Sequence, residues 1–164
     1  GGMLLAQARA DVRAGMAEFS RHADSSGVTL YLEPLHPLNA VAKSCVNTIA
    51  QAEGEMRGLP GMLLNLDTFH LWWDPDFDRF IDDPASRLGI LQISDTDFGA
   101  ADALPRRLPL REGALDWQDI VKRVRAGRPD IPIELELFAD QLRGRDLDAL
   151  LRAAADAFRA LEEA

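Results

Sequence analysis

Four short apolar runs alternate with helical segments along this 164-residue chain, and the alternation strongly constrains its fold. The runs lie at residues 28–32, 62–64, 89–93 and 131–137. Segments with apolar residues at three- and four-residue spacing follow them, at 43–56, 74–82, 116–124 and 147–161. Because no strand is followed directly by another, the pattern predicts parallel strands joined by crossover helices.

A further amphipathic segment at residues 3–23 precedes the first strand and predicts an opening helix. No Gly-x-Gly-x-x-Gly turn follows a strand, and no phosphate-binding loop motif occurs, so nucleotide-binding α/β folds have no support. The sequence therefore favours an α/β fold of the (β/α) TIM-barrel type, with residues 1–164 forming a single, partial barrel domain. Residues 96–114 lack periodicity and are predicted to form a loop.

The composition restricts the partners of the chain. A net charge of -9 and a pI near 4.7 argue against nucleic acid and anionic membranes, which attract basic surfaces, and favour a small-molecule ligand. Cys45 is the only cysteine, so no intrachain disulfide forms. With no signal peptide and no apolar run of membrane-spanning length in this sequence, we expect a cytoplasmic location.

Polar side chains, at least one of them oxygen-bearing on each strand, stand at the carboxyl ends of the predicted strands: Glu33, Asp67 with His70, Gln92 with Asp95, and Glu136. Ligands of α/β proteins bind just outside these ends, so we expect the side chains to converge at one mouth. Such donors suit Mg²⁺ or Mn²⁺ better than a tetrahedral zinc ion. The alternative is that each acid caps a helix or pairs with a surface arginine, while His70 packs against a neighbouring tryptophan.

Five segments resemble the xylose isomerase-like TIM barrels, a family of sugar phosphate isomerases and sugar epimerases. They read LEPLHPL (32–38), LDTFHLWWDPD (66–76), LQISD (91–95), REGALDW (111–117) and ELELF (134–138). The resemblance runs from about residue 28 to 138. It implies that the chain contains only the last four β/α units of an eight-unit barrel.

The resemblance also implies roles for individual residues. The metal ligands would be Glu33, Asp67, Gln92 and Glu136, with Glu33 and Glu136 also acting as the catalytic carboxylates. The substrate would be contacted by His36, His70 and Arg107, the last by its place ahead of the REGALD segment. Gln92 stands where the family usually has a histidine, and its amide oxygen is expected to shift metal preference toward hard cations.

The activity implied is metal-dependent isomerisation or epimerisation of a sugar or sugar phosphate, by carboxylate proton transfer through an enediolate. Dehydration of a cyclic polyol begins with the same proton abstraction and stays open. The family also includes endonucleases for abasic DNA, but their histidine-rich sites contrast with the three histidines here. A non-catalytic or truncated barrel half, acting as an assembly or binding module, is the alternative of another class.

Half a barrel has two unpaired strand edges, here predicted at the strands that begin at residues 28 and 131. Apolar strand side chains are expected to fill the barrel interior and partly face water: Leu30, Leu32, Leu64, Leu66, Ile93 and Ile133. We therefore expect a homo-oligomer or a missing amino-terminal barrel half.

Overall fold

The computed structural model describes residues 4–40, 42–83, 85–98, 105–139 and 141–162. The helices are α1 (Leu5–Ser26), α2 (Ile49–Glu55), α3 (Thr68–Leu71), α4 (Phe77–Asp82), α5 (Trp117–Gly127) and α6 (Leu147–Glu162), with a 3₁₀ turn at Pro37–Asn39. The strands are β1 (Leu30–Leu32), β2 (Met62–Asp67), β3 (Leu88–Ile93), β4 (Asp95–Asp97), β5 (Arg106–Leu108) and β6 (Ile133–Leu135). None of the helices in these ranges is both long and apolar enough to cross a membrane.

Four strands form one parallel sheet in the order β1-β2-β3-β6, which confirms the predicted α/β, TIM-barrel-type architecture. Their register aligns the carboxyl ends, because Asp67 lies opposite Gln92, which lies opposite Glu134. Among the described residues, β1 and β6 are paired on one side only, so the sheet is an open segment of a barrel.

The prediction that no strand directly follows another was wrong at β3. Within the predicted loop, β4 and β5 pair antiparallel, with Thr96 opposite Arg107. Each of these strands has only three residues, and the charged Arg106 and Arg107 break any apolar pattern, so the hairpin left no periodic signal. The hairpin matters because it carries Arg107 to the sheet.

The apolar strand residues lie on the face of the sheet that packs against the helices. The prediction that they fill the barrel interior was therefore wrong. Leu64, Leu66 and Ile93 are fully buried in one core with residues of α2, α4 and α5. Strand side chains alternate between faces, so Tyr31 and Glu134 lie on the opposite face, where both are exposed. The face that remains open to water is therefore the one that would line a barrel.

Two helix starts differ from the predicted bounds because of local capping. The helix predicted from residue 43 begins at Ile49, since the Thr48 hydroxyl accepts a hydrogen bond from the Gln51 N–H at 3.1 Å. Buried Asp74 does not directly precede a helix as predicted. Its Oδ2 accepts from the Ile49 N–H at 2.8 Å, which ties the start of α2 to the chain before α4.

The segment after the hairpin is wrapped around the carboxylate of buried Asp95. Oδ1 accepts from the N–H groups of Thr96 at 2.9 Å and Leu115 at 3.0 Å, and Oδ2 accepts from the Arg111 N–H at 3.1 Å. Asp95 therefore anchors the hairpin rather than joining a ligand cluster, and it fixes the base from which Arg107 projects.

We expect Gly113→Ala to lower the free energy of unfolding by about 1 to 3 kcal/mol, because the added methyl group overpacks this segment. An ideal Cβ at Gly113 would lie 2.3 Å from Asp95 Oδ1 and 2.6 Å from the Thr96 carbonyl oxygen. Gly15→Ala is the control, since nothing lies within 4 Å of its Cβ position in α1. Urea denaturation of wild type and both variants measures their free energies of unfolding. If Gly113→Ala is as stable as Gly15→Ala, the segment around Asp95 accommodates the added methyl group without cost.

Candidate functional site

The polar groups that follow β1 and end β2 meet in a small cluster at the carboxyl end of the sheet. Ligand-type atoms of Glu33, Asp67 and His70 all lie within 4.8 Å of one another. His70 Nε2 is 3.8 Å from Glu33 Oε1 and 3.7 Å from Asp67 Oδ2. The imidazole thus faces both carboxylates, a closer association than the substrate contact that the resemblance implied for it.

The local fold after β2 places His70 beside Asp67. Asp67 Oδ1 accepts a hydrogen bond from the Phe69 N–H at 2.9 Å, which starts the short helix α3. The following turn brings His70 back over the same carboxylate. Asp67 therefore acts both as the helix cap of the alternative interpretation and as a member of the cluster.

Arg107 projects from β5 into the cluster and is only 1% exposed. Its Nη1 donates to Asp67 Oδ1 at 3.0 Å, and its Nη2 donates to Asp67 Oδ2 and lies 2.8 Å from Glu136 Oε2. The guanidinium carbon lies 4.6 Å from the ring centre of Phe69 and 4.8 Å from that of Phe138. Two aromatic rings and two carboxylates thus hold one buried cation.

Gln92 is held by neighbours on both sides within the sheet. Its Oε1 accepts from Asn65 Nδ2 at 2.6 Å, and its Nε2 donates to Glu134 Oε2 at 2.7 Å. The amide oxygen proposed as a ligand therefore already accepts a hydrogen bond. The sequence interpretation assigned no role to Asn65 or Glu134, although their places on β2 and β6 could have indicated contact with Gln92.

The cluster shifts the pKa values of its members. Burial, reinforced by the negative charges of Asp67 and Glu136, raises the pKa of Glu33 to about 7, although Arg107 opposes this. Burial lowers the pKa of His70 to about 4, so its imidazole is neutral at pH 7. Burial also raises the pKa of Glu136. Glu33 can therefore exchange protons near neutral pH, as a general base or acid must.

The donors of the cluster fit a divalent cation. Two carboxylates and a neutral imidazole provide oxygen and nitrogen ligands of the kind that Mn²⁺, Mg²⁺ and Zn²⁺ accept in proteins. The structure brings Glu33 and Asp67 together as predicted for the metal site, adds His70, and connects Glu136 to Asp67 through Arg107. A cation at this cluster and Arg107 would share the Asp67 carboxylate.

A cleft of about 220 Å³ lies beside the cluster. His70, His36 and Lys43 line it together with apolar side chains, among them Phe69 and Phe138. His36 Nδ1 accepts from the Leu38 N–H at 3.2 Å, which fixes the loop after β1. Larger hollows of about 280, 540 and 510 Å³ lie elsewhere on the chain. Within the described residues, none of them adjoins a cluster of three or more potential metal ligands, so the smaller cleft is the candidate site.

The sequence identifies the family directly, because residues 2–161 match the family model described as xylose isomerase-like TIM barrel. The chain belongs to this family. No protein of established, curated function matches this xylose isomerase-like chain significantly.

Solved structures resemble this xylose isomerase-like chain over nearly its whole length. A protein of Sinorhizobium meliloti 1021 is 31% identical with a TM-score of 0.83, and the match covers 98% of this chain and 60% of that one. The IOLI protein, solved with a bound zinc atom, is 20% identical with a TM-score of 0.73, over 98% of this chain and 58% of its own. D-Psicose 3-epimerase, solved in the presence of D-fructose, is 21% identical with a TM-score of 0.72, and the match covers 97% of this chain and 57% of that one. The chain thus spans less than two thirds of the structures it matches.

Proposed function

We propose that this chain provides the catalytic carboxylates of a metal-dependent sugar or sugar phosphate isomerase or epimerase. The observation that supports this most directly is Glu33, a carboxyl group with a pKa of about 7 that lies against Asp67 and His70. Membership of the family and the likeness to D-psicose 3-epimerase agree with it. We propose further that residues 1–164 are one partial barrel domain, completed by an amino-terminal half or by a second copy.

The proposed cation is Mn²⁺ or Mg²⁺, held by Glu33, Asp67 and His70, with Gln92 and Glu136 kept from the sequence prediction as further ligands. When bound, such a cation supplies Lewis acidity that polarises a substrate carbonyl. The zinc atom of the IOLI protein supports a cation in this kind of barrel. His36 and Lys43 line the adjoining cleft, where His36 is proposed to contact the substrate. The substrate contact of Arg107 stays a prediction from the family resemblance, because Arg107 is buried behind the cleft lining.

Glu33 is the proposed base. Its carboxylate accepts the proton from the carbon beside the carbonyl, so the C–H bond breaks, an O–H bond forms on Glu33, and the electron pair moves onto the carbonyl oxygen as an enediolate. Return of the proton by Glu33 or addition of one by Glu136 then completes isomerisation or epimerisation. Loss of a neighbouring hydroxyl from the same enediolate would instead give dehydration.

A binding or assembly module without catalysis is the second candidate. Two observations favour it: Arg107 already forms ion pairs with Asp67 and Glu136, and Gln92 is already hydrogen-bonded to Asn65 and Glu134. In such a module the ion pairs would serve to hold the strand ends together.

Solvent exchange distinguishes the two candidates. We expect the chain with Mn²⁺ in D₂O to incorporate deuterium into D-fructose or D-fructose 6-phosphate, at carbon 3 for epimerisation or carbon 1 for isomerisation, as observed by NMR. A chelator should abolish incorporation, and Glu33→Gln should slow it by about 100-fold or more. Glu112→Gln, at an exposed pair with Arg145, is the matched control. Mn²⁺ binding without exchange in a panel of ketoses and their phosphates would favour the module.

A further inference from the structure

We propose that Arg107 is an internal cation that competes with the divalent metal for Asp67. The proposal rests on the proposed function, because it takes the Glu33, Asp67 and His70 cluster as the metal site. In this proposal Arg107 lowers the affinity of the site for the metal, a role that differs from the substrate contact implied by the family resemblance.

The geometry directs both cations to the same oxygen atom of Asp67. Asp67 Oδ2 is the oxygen that faces His70 Nε2, at 3.7 Å, so it is the one directed into the metal cluster. The same Oδ2 accepts from Arg107 Nη2. Oδ1 already accepts from the Phe69 N–H and from Arg107 Nη1, at 2.9 and 3.0 Å. Both Asp67 oxygens therefore already accept hydrogen bonds, and a metal at Oδ2 would have to bind beside the Nη2 donor or displace it.

The guanidinium can leave Asp67 without leaving the site. Its Nη2 also lies 2.8 Å from Glu136 Oε2, and the side chain of Glu136 is 30% exposed, compared with 0% for Asp67. The guanidinium carbon lies over the rings of Phe69 and Phe138, so contacts other than the Asp67 pair also hold the group in the site. Metal binding would thus shift Arg107 from Asp67 toward Glu136 Oε2, and Glu136 would then ligate the metal through its other oxygen.

The charges predict whether removal of Arg107 tightens or weakens metal binding. A guanidinium neutralises Asp67 in the metal-free protein and repels a divalent ion a few ångströms away, an interaction that burial strengthens. Removing the arginine charge should therefore tighten metal binding. A purely structural role for Arg107 predicts the reverse, because loosening the cluster would weaken binding.

The test is calorimetric titration of the metal-free chain with Mn²⁺, comparing wild type, Arg107→Met and Arg106→Met. We expect Arg107→Met to tighten Mn²⁺ binding by about tenfold or more. Arg106→Met is the matched control, since Arg106 is the preceding residue on β5 but is 69% exposed and pairs with Asp97 at the surface. It should leave the affinity within about twofold of wild type.

A second variant, Arg107→Lys, tests the proposal by the same titration if Arg107→Met does not fold. Lysine retains the charge but loses the paired donors that hold both Asp67 oxygens, so we expect an affinity above that of wild type and below that of Arg107→Met. As a second readout, the Arg107 side-chain N–H signals in NMR should shift on addition of Mg²⁺, which is diamagnetic.

The possible outcomes separate the two proposals. Equal or weaker Mn²⁺ binding in both Arg107 variants would overturn the competition while leaving the metal site intact. Absence of Mn²⁺ binding in wild type and in every variant would overturn both the metal site and the competition. Binding that appears only when Arg107 is replaced would support the competition strongly.

Discussion

Replacing Asp67 by asparagine should lower the free energy of unfolding of the metal-free chain by about 3 to 5 kcal/mol, because it leaves a buried guanidinium without its paired carboxylate. Asp67 and Arg107 are 0% and 1% exposed, so water cannot replace the lost partner. Asparagine retains an oxygen for the Phe69 N–H, so the helix cap is preserved and the change isolates the charge. Glu136 still pairs with Arg107, which places the expected loss toward the lower figure.

Two further variants identify the cause of that loss. Asp67→Asn combined with Arg107→Met removes both charges and should be more stable than Asp67→Asn alone. Asp82→Asn removes one of the three acidic partners that Arg123 has near the surface among the described residues, and it should change stability little. Urea denaturation measures all three variants. If Asp67→Asn costs no more than Asp82→Asn, the Asp67 pair with Arg107 is solvated rather than buried.

Glu33→Gln should make the metal-free chain more stable at pH 8, by about 1 to 2 kcal/mol after allowance for partial exposure of the side chain. The pKa of Glu33 is about 7 in the folded protein, above its ordinary value of 4.5. Its contribution to stability is therefore fully present below pH 4.5 and is lost as the pH rises through 7. Glutamine carries no such proton, so the advantage of the variant should grow between pH 4.5 and 8 and vanish at lower pH.

In wild type and in Glu33→Gln, His70 makes stability depend on pH in the direction opposite to Glu33. Its pKa is lowered to about 4 from 6.5, so the stability it contributes is present above pH 6.5 and is lost as the pH falls through 4. This loss is common to wild type and Glu33→Gln and should cancel in their difference. Glu112→Gln is the control, because its pair with Arg145 lowers the pKa of Glu112 and removing it should not stabilise the chain. Equal stability of wild type and Glu33→Gln at pH 8 would mean that Glu33 ionises freely.

The raised pKa of Glu33 connects stability with the proposed activity. A carboxylate kept close to Asp67 and Glu136 destabilises the fold at neutral pH, while the same environment gives it the proton affinity that a general base needs. A variant that gains stability and loses deuterium exchange together would support this connection.

The sequence by itself determined the parallel α/β architecture and the placement of Glu33, Asp67 and Glu136 at strand ends. These features depend on local patterns. An apolar run followed by a polar residue can be recognised from a few consecutive positions. Strands that alternate with helices require crossover connections and therefore form a parallel sheet. For the same reason the four predicted strands all lie in the parallel sheet, although the β4-β5 hairpin after β3 was not predicted.

Only the tertiary structure decided which side chains meet. Asp67 and Arg107 are 40 residues apart, and their pairing depends on a hairpin of two three-residue strands that carries no periodic pattern. Likewise, the alternation of β2 separates Leu64 and Leu66 from Asn65, but only packing against the helices shows which face is the core. Local pattern specifies the elements, whereas contacts between distant segments decide where each charge is buried and therefore its chemistry.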